Sequence, residues 1–261
     1  MNMKMKWLPL AIVGATIQAQ ASIISVNVNE ANSRVPMAST DLAGAPGVRV
    51  GNWNNFLSGN KTLPADITSP SAGQLVYDDG AVVGSSFQVT TVGPGGYAPA
   101  NELVNDQRMY SGFFDLRQDK PLTITMTDIP YAQYDLYVYA QGQNASGSNF
   151  RGGSVELTGG QIYYFQGAAS PNDDGTGYVE MTTTSIPATP VKSDIAFGNF
   201  ISYKGLSASS VTVTVRTYLW TDYDRAQTYG FQIVQVPEPA SLGLVGLAGL
   251  GLLWRRRCAR A

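Results

Sequence analysis

Leu122-Thr123-Ile124-Thr125-Met126-Thr127-Asp128-Ile129-Pro130-Tyr131-Ala132-Gln133-Tyr134-Asp135-Leu136-Tyr137-Val138-Tyr139 is the stretch that decides the fold. Leu122, Ile124 and Met126 point one way from an extended chain, and Thr123, Thr125 and Thr127 the other. That period of two predicts a half-buried antiparallel strand. Asp128 to Pro130 break it, and residues 134–140 resume it, with Leu136, Val138 and Ala140 opposite Tyr137 and Tyr139. Residues 210–217 alternate in the same way, Val211, Val213 and Val215 against Thr212, Thr214 and Arg216.

Working outward, residues 22–29, 81–92, 108–116, 153–157, 162–166, 178–184, 195–203 and 229–236 read as further strands, separated by Gly, Pro or Asp. No amphipathic helix and no fixed repeat period is evident. About ten short strands predict an all-β, two-layer sandwich with Greek-key or jelly-roll wiring. Leu122, Ile124, Met126, Leu136, Val138, Val211, Val213 and Val215 are its expected core.

Both ends stand apart from this pattern. Lys4 and Lys6, an apolar run over 7–17 and Ala19-Gln20-Ala21 compose a secretory signal, residues 1–21, expected to be cut by signal peptidase before Ser22. At the other end, residues 237–261 read Pro237-Glu238-Pro239, an apolar run over 240–254, then a basic end, 255–261, opened by Arg255-Arg256-Arg257. The prolines disfavour helix upstream, so a helix can start near Ala240. Fifteen residues reach about 22 Å, short of a hydrocarbon core of about 30 Å, and arginine snorkelling and local thinning narrow the gap. The arginines set the orientation with the body outside.

The order of tripeptide, apolar helix and arginine cluster resembles the PEP-CTERM sorting signal of exported bacterial proteins. That resemblance implies an exosortase-type enzyme as partner, reading Pro237, Glu238 and Pro239. It implies inner-membrane anchoring before processing and a cell-surface or matrix destination afterwards. Residues 122–139, Tyr229-Gly230-Phe231-Gln232-Ile233-Val234 and Asn52-Trp53-Asn54-Asn55 also resemble the β-sandwich bodies common in such proteins, which are similar to galactose-binding-like jelly rolls.

Between the two ends lie residues 22–236. The chain has 17 bases and 19 acids; Lys4, Lys6 and the four tail arginines fall outside this body, as does Glu238, leaving it near −7. Such a body is not expected to bind nucleic acid. The chain has no histidine, and its one cysteine, Cys258, lies in the tail. Catalytic triads, Cys-His dyads and thiolate or imidazole zinc sites are therefore excluded from the body. Only paired carboxylates remain as catalytic groups, and any metal would be an oxygen-liking ion such as calcium.

Three constellations compete for a role. Asp78-Asp79-Gly80, Asp173-Asp174-Gly175 and Asp222/Asp224 are acidic turns; Asp173 and Asp174 offer oxygens to calcium, although Asp-Gly is equally a plain hairpin signal. Trp53, Tyr137, Tyr139 and Trp220 could form an aromatic sugar platform, or pack in the sheets. Gly93-Pro94-Gly95-Gly96 has no phosphate-loop lysine and reads as a loop. The leading expectation is a non-catalytic surface or matrix protein associated with exopolysaccharide. A carbohydrate-binding module for a specific glycan is the alternative, and a carboxylate hydrolase or lyase the third reading.

Overall fold

A computed structural model describes residues 21–29, 35–96, 103–117, 120–142, 151–167, 169–188, 191–217 and 225–237. Residues 1–20 of the signal, the 238–261 tail, Tyr218, Trp220, Asp222, Tyr223 and Asp224 lie outside the described residues. Residues 21–236 form one compact unit.

The body is all-β. In chain order the strands are β1 (Ile23–Asn29), β2 (Asn54–Leu57), β3 (Lys61–Leu63), β4 (Ile67–Ser69) and β5 (Gln88–Val92). A single-turn helix, α1 (Asn105–Met109), precedes β6 (Phe114–Leu116). Then come β7 (Leu122–Thr127), β8 (Tyr134–Gly142), β9 (Gly152–Leu157), β10 (Ile162–Gln166), β11 (Phe200–Leu206), β12 (Val211–Thr217) and β13 (Ala226–Gln235). One sheet runs β11-β8-β13-β1-β2-β4, with β6 also on β13; the other runs β10-β9-β12-β7-β5-β3. Among the described strands every pairing is antiparallel except that of β1 with β2.

The period-2 strands meet as their sequences require. Ile124 lies opposite Val213, and Val213 opposite Leu157 on its other side. Leu122, Ile124, Met126, Val213 and Val215 face Ile24, Val26, Leu136, Val138, Phe231 and Ile233 in one apolar core between the sheets. Val211 is half-buried at its margin. On the far side of the smaller sheet Thr123, Thr125, Thr127, Thr212 and Thr214 are partly exposed, and Thr125 and Thr212 hydroxyls meet at 3.2 Å. This sheet thus has one wet face, as the alternation predicts.

The larger sheet differs. Both faces of β8 and β13 are buried along almost their whole length. The face turned away from the shared core carries a second apolar cluster, in which Tyr137, Tyr139, Phe200 and Tyr229 pack under Met37, Ala45, Val48, Met109 and Tyr110. Segment 37–53 and the α1 region therefore act as a third layer. A bulge at Thr228/Gly230 flips the parity of β13, so Tyr229, Gln232 and Val234 all reach this outer cluster. Gly230 is required there, since a Cβ would sit 2.2 Å from the Val26 carbonyl oxygen.

Several expected strands are corrected. Of residues 81–92 only 88–92 form a strand, and 195–203 becomes strand only from Phe200. Residues 178–184 make isolated bridges, Glu180 to Phe200 and Thr183 to Tyr164. Residues 108–116 split into the end of α1 and β6. Asn105 takes a positive φ of 50°, and the backbone turn that follows is closed by Tyr110 N to Asp106 O at 3.0 Å. Tertiary hydrogen bonds from Asn105 and Asp106 override the strand propensity of the residues that follow.

Candidate functional site

The aromatic residues singled out from the sequence converge, but inside the protein. Trp53 and Tyr139 are wholly buried and Tyr137 nearly so. The Trp53 and Tyr139 rings lie 5.9 Å apart, Tyr137 stacks on Phe200 at 6.4 Å, and Trp53 Nε1 donates to Val50 O at 3.0 Å. No ring face of Trp53 or Tyr139 is left for a sugar, which corrects the platform reading for these residues. The cause is the third layer, which fills the space a ligand would need.

Beside the rings sits a polar cluster with a buried charge. Asp106 is fully buried. Its Oδ2 accepts from Arg49 Nε at 2.9 Å, and its Oδ1 from Gly44 N at 3.0 Å and Tyr178 Oη at 2.5 Å. Tyr139 Oη bonds Gln232 and accepts from Ala45 N. Tyr110 Oη donates to Asn199 O at 2.8 Å, and Gln141 Nε2 donates to Tyr229 Oη at 2.7 Å. Gly44, with φ 126°, leaves no room for a Cβ, which would lie 2.7 Å from Gln232 Oε1. This is a closed network that ties the covering layer to the sheet.

Burial, first, pushes the phenols of Tyr110, Tyr139, Tyr178 and Tyr229 above their ordinary range; for Tyr178 the neighbouring Tyr110, Tyr139 and Asp106 add to it. In the unfolded chain they ionise near pH 10. Their contribution to stability is therefore complete below about pH 10 and is lost as pH rises beyond it. Tyrosinate absorbance should appear together with loss of the β circular-dichroism signal in one steep alkaline transition. Ionisation of these tyrosines in a protein that keeps its fold would contradict this packing.

The acidic turns are also used internally. Arg49 Nη2 donates to Asp173 O at 2.6 Å, with Asn105 Nδ2 at 3.4 Å from the same oxygen. Asp174 Oδ1 accepts from Thr176 Oγ1 and N, bonds that hold its carboxyl below the usual range. Asp173 Oδ1 has no hydrogen-bond partner, but a single carboxylate oxygen is no calcium cage. Among the described residues no group of three or more acids could hold a metal. Asp78 Oδ1 accepts from Ile23 N at 2.9 Å and pins the start of β1.

A cleft of about 590 Å³ opens beside β6 instead, lined by Gly95, Gly96, Phe113, Asp115, Arg117, Lys120 and Arg225 among others. Sequence reasoning passed over these cations. Arg225 is brought to Asp115 and Arg117 by the pairing of Ala226 with Leu116, more than a hundred residues away in the chain. Arg117 and Lys120 close a tight turn, Lys120 N to Arg117 O at 3.0 Å. Gly96, also in the lining, pairs with Phe114 so closely that a Cβ would meet Phe113 O at 2.0 Å.

β13 ends at Gln235, and the compact unit one residue later, at Val236. Residues 235–257 match the model of the PEP-CTERM protein-sorting motif. The chain carries a PEP-CTERM sorting signal. It marks an exported protein that an exosortase processes, with a C-terminal membrane-anchored sorting segment. No curated protein matches the chain. A solved structure, the crystal structure of plant peptide RALF23 in complex with FER and LLG2, is similar at 13% identity with a TM-score of 0.34. The match covers 83% of this chain but only 40% of that one, and a likeness at that level establishes no shared fold.

Proposed function

We propose that this chain is a non-catalytic protein of the cell surface or extracellular matrix, delivered through Pro237-Glu238-Pro239 and associated with exopolysaccharide. The match of residues 235–257 to the PEP-CTERM motif carries the reading. The body supports it: a compact unit ends at residue 236, immediately before the tripeptide. The buried Asp106 has every carboxylate oxygen engaged in holding layers together, which suits a structural role.

We also read the two sheets as a jelly-roll type of wiring. Successive strands β7, β8 and β9, and again β11, β12 and β13, alternate between sheets, which supports that reading. We take the tail, residues 240–254, as the membrane helix that holds the protein until processing. The specific-glycan module gains no support from Trp53 or Tyr139, whose rings are enclosed.

Replacing Pro237, Glu238 and Pro239 by alanine tests the sorting step. In a host with an exosortase, the variant should stay in the inner-membrane fraction, while the unaltered protein reaches the surface. The apolar run and arginines would still stop transfer, but the recognition signal would be gone. Equal surface delivery of both would reduce the tripeptide to a helix break and sink the reading.

A further inference from the structure

We propose that the cleft beside β6 binds the carboxylate of a uronate sugar within an acidic polysaccharide. This deepens the matrix reading above and rests on it, by naming the glycan chemistry that the body would hold. Three of the body's bases, Arg117, Lys120 and Arg225, line this one cleft in a protein whose body is near −7. Among the described residues Asp115 is the one acid that lines it. Its Oδ2 lies 3.5 Å from Arg117 Nη2 and 3.4 Å from Arg225 Nη1, so it gathers two guanidiniums without neutralising both. No described carboxylate is within ion-pair distance of Lys120. A carboxylate entering the cleft meets an excess of positive charge, and guanidiniums hold carboxylates in a planar, two-point geometry.

A second observation selects a sugar acid over a bare anion. Asp115 Oδ1 is buried and has no hydrogen-bond partner. A buried carboxylate oxygen seeks a donor, and a hydroxyl of the same sugar ring supplies one once the Asp115 side chain, 12% exposed, turns toward the cleft. Pro94 and the Gly95-Gly96 segment, partly exposed, offer apolar surface to the C–H face of the ring. The cleft volume falls within the roughly 300–1,000 Å³ of ordinary ligand sites. The remaining acidic surface repels the rest of a polyanion, so binding is confined to this cleft.

Oligogalacturonate is the probe, with its methyl ester, neutral dextran and inorganic phosphate as comparisons, titrated against the protein purified as exported. Oligogalacturonate should bind, and more weakly as salt rises. Arg117→Ser, Lys120→Ser and Arg225→Ser should each weaken it by about tenfold or more, in line with a charge-assisted hydrogen bond. Arg216→Ser, an exposed cation on β12, should change nothing. Arg117→Lys should recover only part of the affinity lost in Arg117→Ser, since an ammonium lacks the two-point fork. The thermal midpoints of the Arg117 and Arg225 variants should stay near that of the unaltered protein, since those side chains are 60% and 38% exposed. Absence of binding, equal binding of the methyl ester, equally tight binding of inorganic phosphate, or indifference to all three cation substitutions would each overturn the assignment. None of these outcomes depends on the tail, so they are separable from failure of the sorting experiment.

Discussion

Val213→Asp is expected to prevent the body from folding. Val213 is wholly buried at the centre of the smaller sheet, between Ile124 and Leu157, and looks into the core shared with the other sheet. A carboxylate there would have only apolar side chains around it. Burying an unpaired charge costs several kcal/mol even after relaxation, against a total stability of about 5–15 kcal/mol for a typical domain. Val211→Asp, two residues earlier at the half-buried margin, should be milder because its carboxylate can turn toward water. Soluble yield and denaturant unfolding measure both. A Val213→Asp protein as stable as the Val211→Asp one would mean that the shared core is misplaced.

Arg49→Ala carries the second large effect. It leaves the Asp106 carboxylate buried with Tyr178 Oη and Gly44 N as its remaining donors, and it frees Asp173 O from the guanidinium. Breaking a buried pair from one side costs about 3–5 kcal/mol. For a body of this size that is a fall of about 10 °C in thermal midpoint. Arg49→Met combined with Asp106→Leu should recover much of the loss, because both charges leave together. Scanning calorimetry decides between outcomes. A small effect of Arg49→Ala would mean that Asp106 is reached by water and that the covering layer is looser than described.

The strands that alternate strictly were legible without a structure. β7, β8 and β12 follow the period-2 pattern because each has at least one face against the shared core, and a one-residue slip would expose Leu122 or Val213. What the pattern could not tell was how many faces were covered. Tyr137 and Tyr139 alternate with Leu136 and Val138 whether their side faces water, a sugar or a third layer. The covering segment 37–53 has little regular structure and therefore no period to read. The three-residue strands β3 and β4 are too short to show one.

The candidate sites divide along similar lines. The tail was readable because its signal is local: tripeptide, apolar run and arginines follow one another in the chain. The acidic turns were visible as residues but not as roles, since only the fold places Arg49 against Asp173 O. The cationic cleft left no local trace at all. Arg117 and Lys120 look like ordinary surface charges until β13 brings Arg225 beside them.

On the proposed sorting route an exosortase cuts this chain at its tail and so releases it from the inner membrane. Intact mass of the surface-delivered protein, beside the membrane-retained variant with alanines at 237–239, tests it most directly. The surface form is expected to have lost Arg255, Arg256 and Arg257, with its new terminus at or near Pro237-Glu238-Pro239, and the variant to keep the whole tail. A surface form still ending in those arginines, in a host whose exosortase is active, would contradict it.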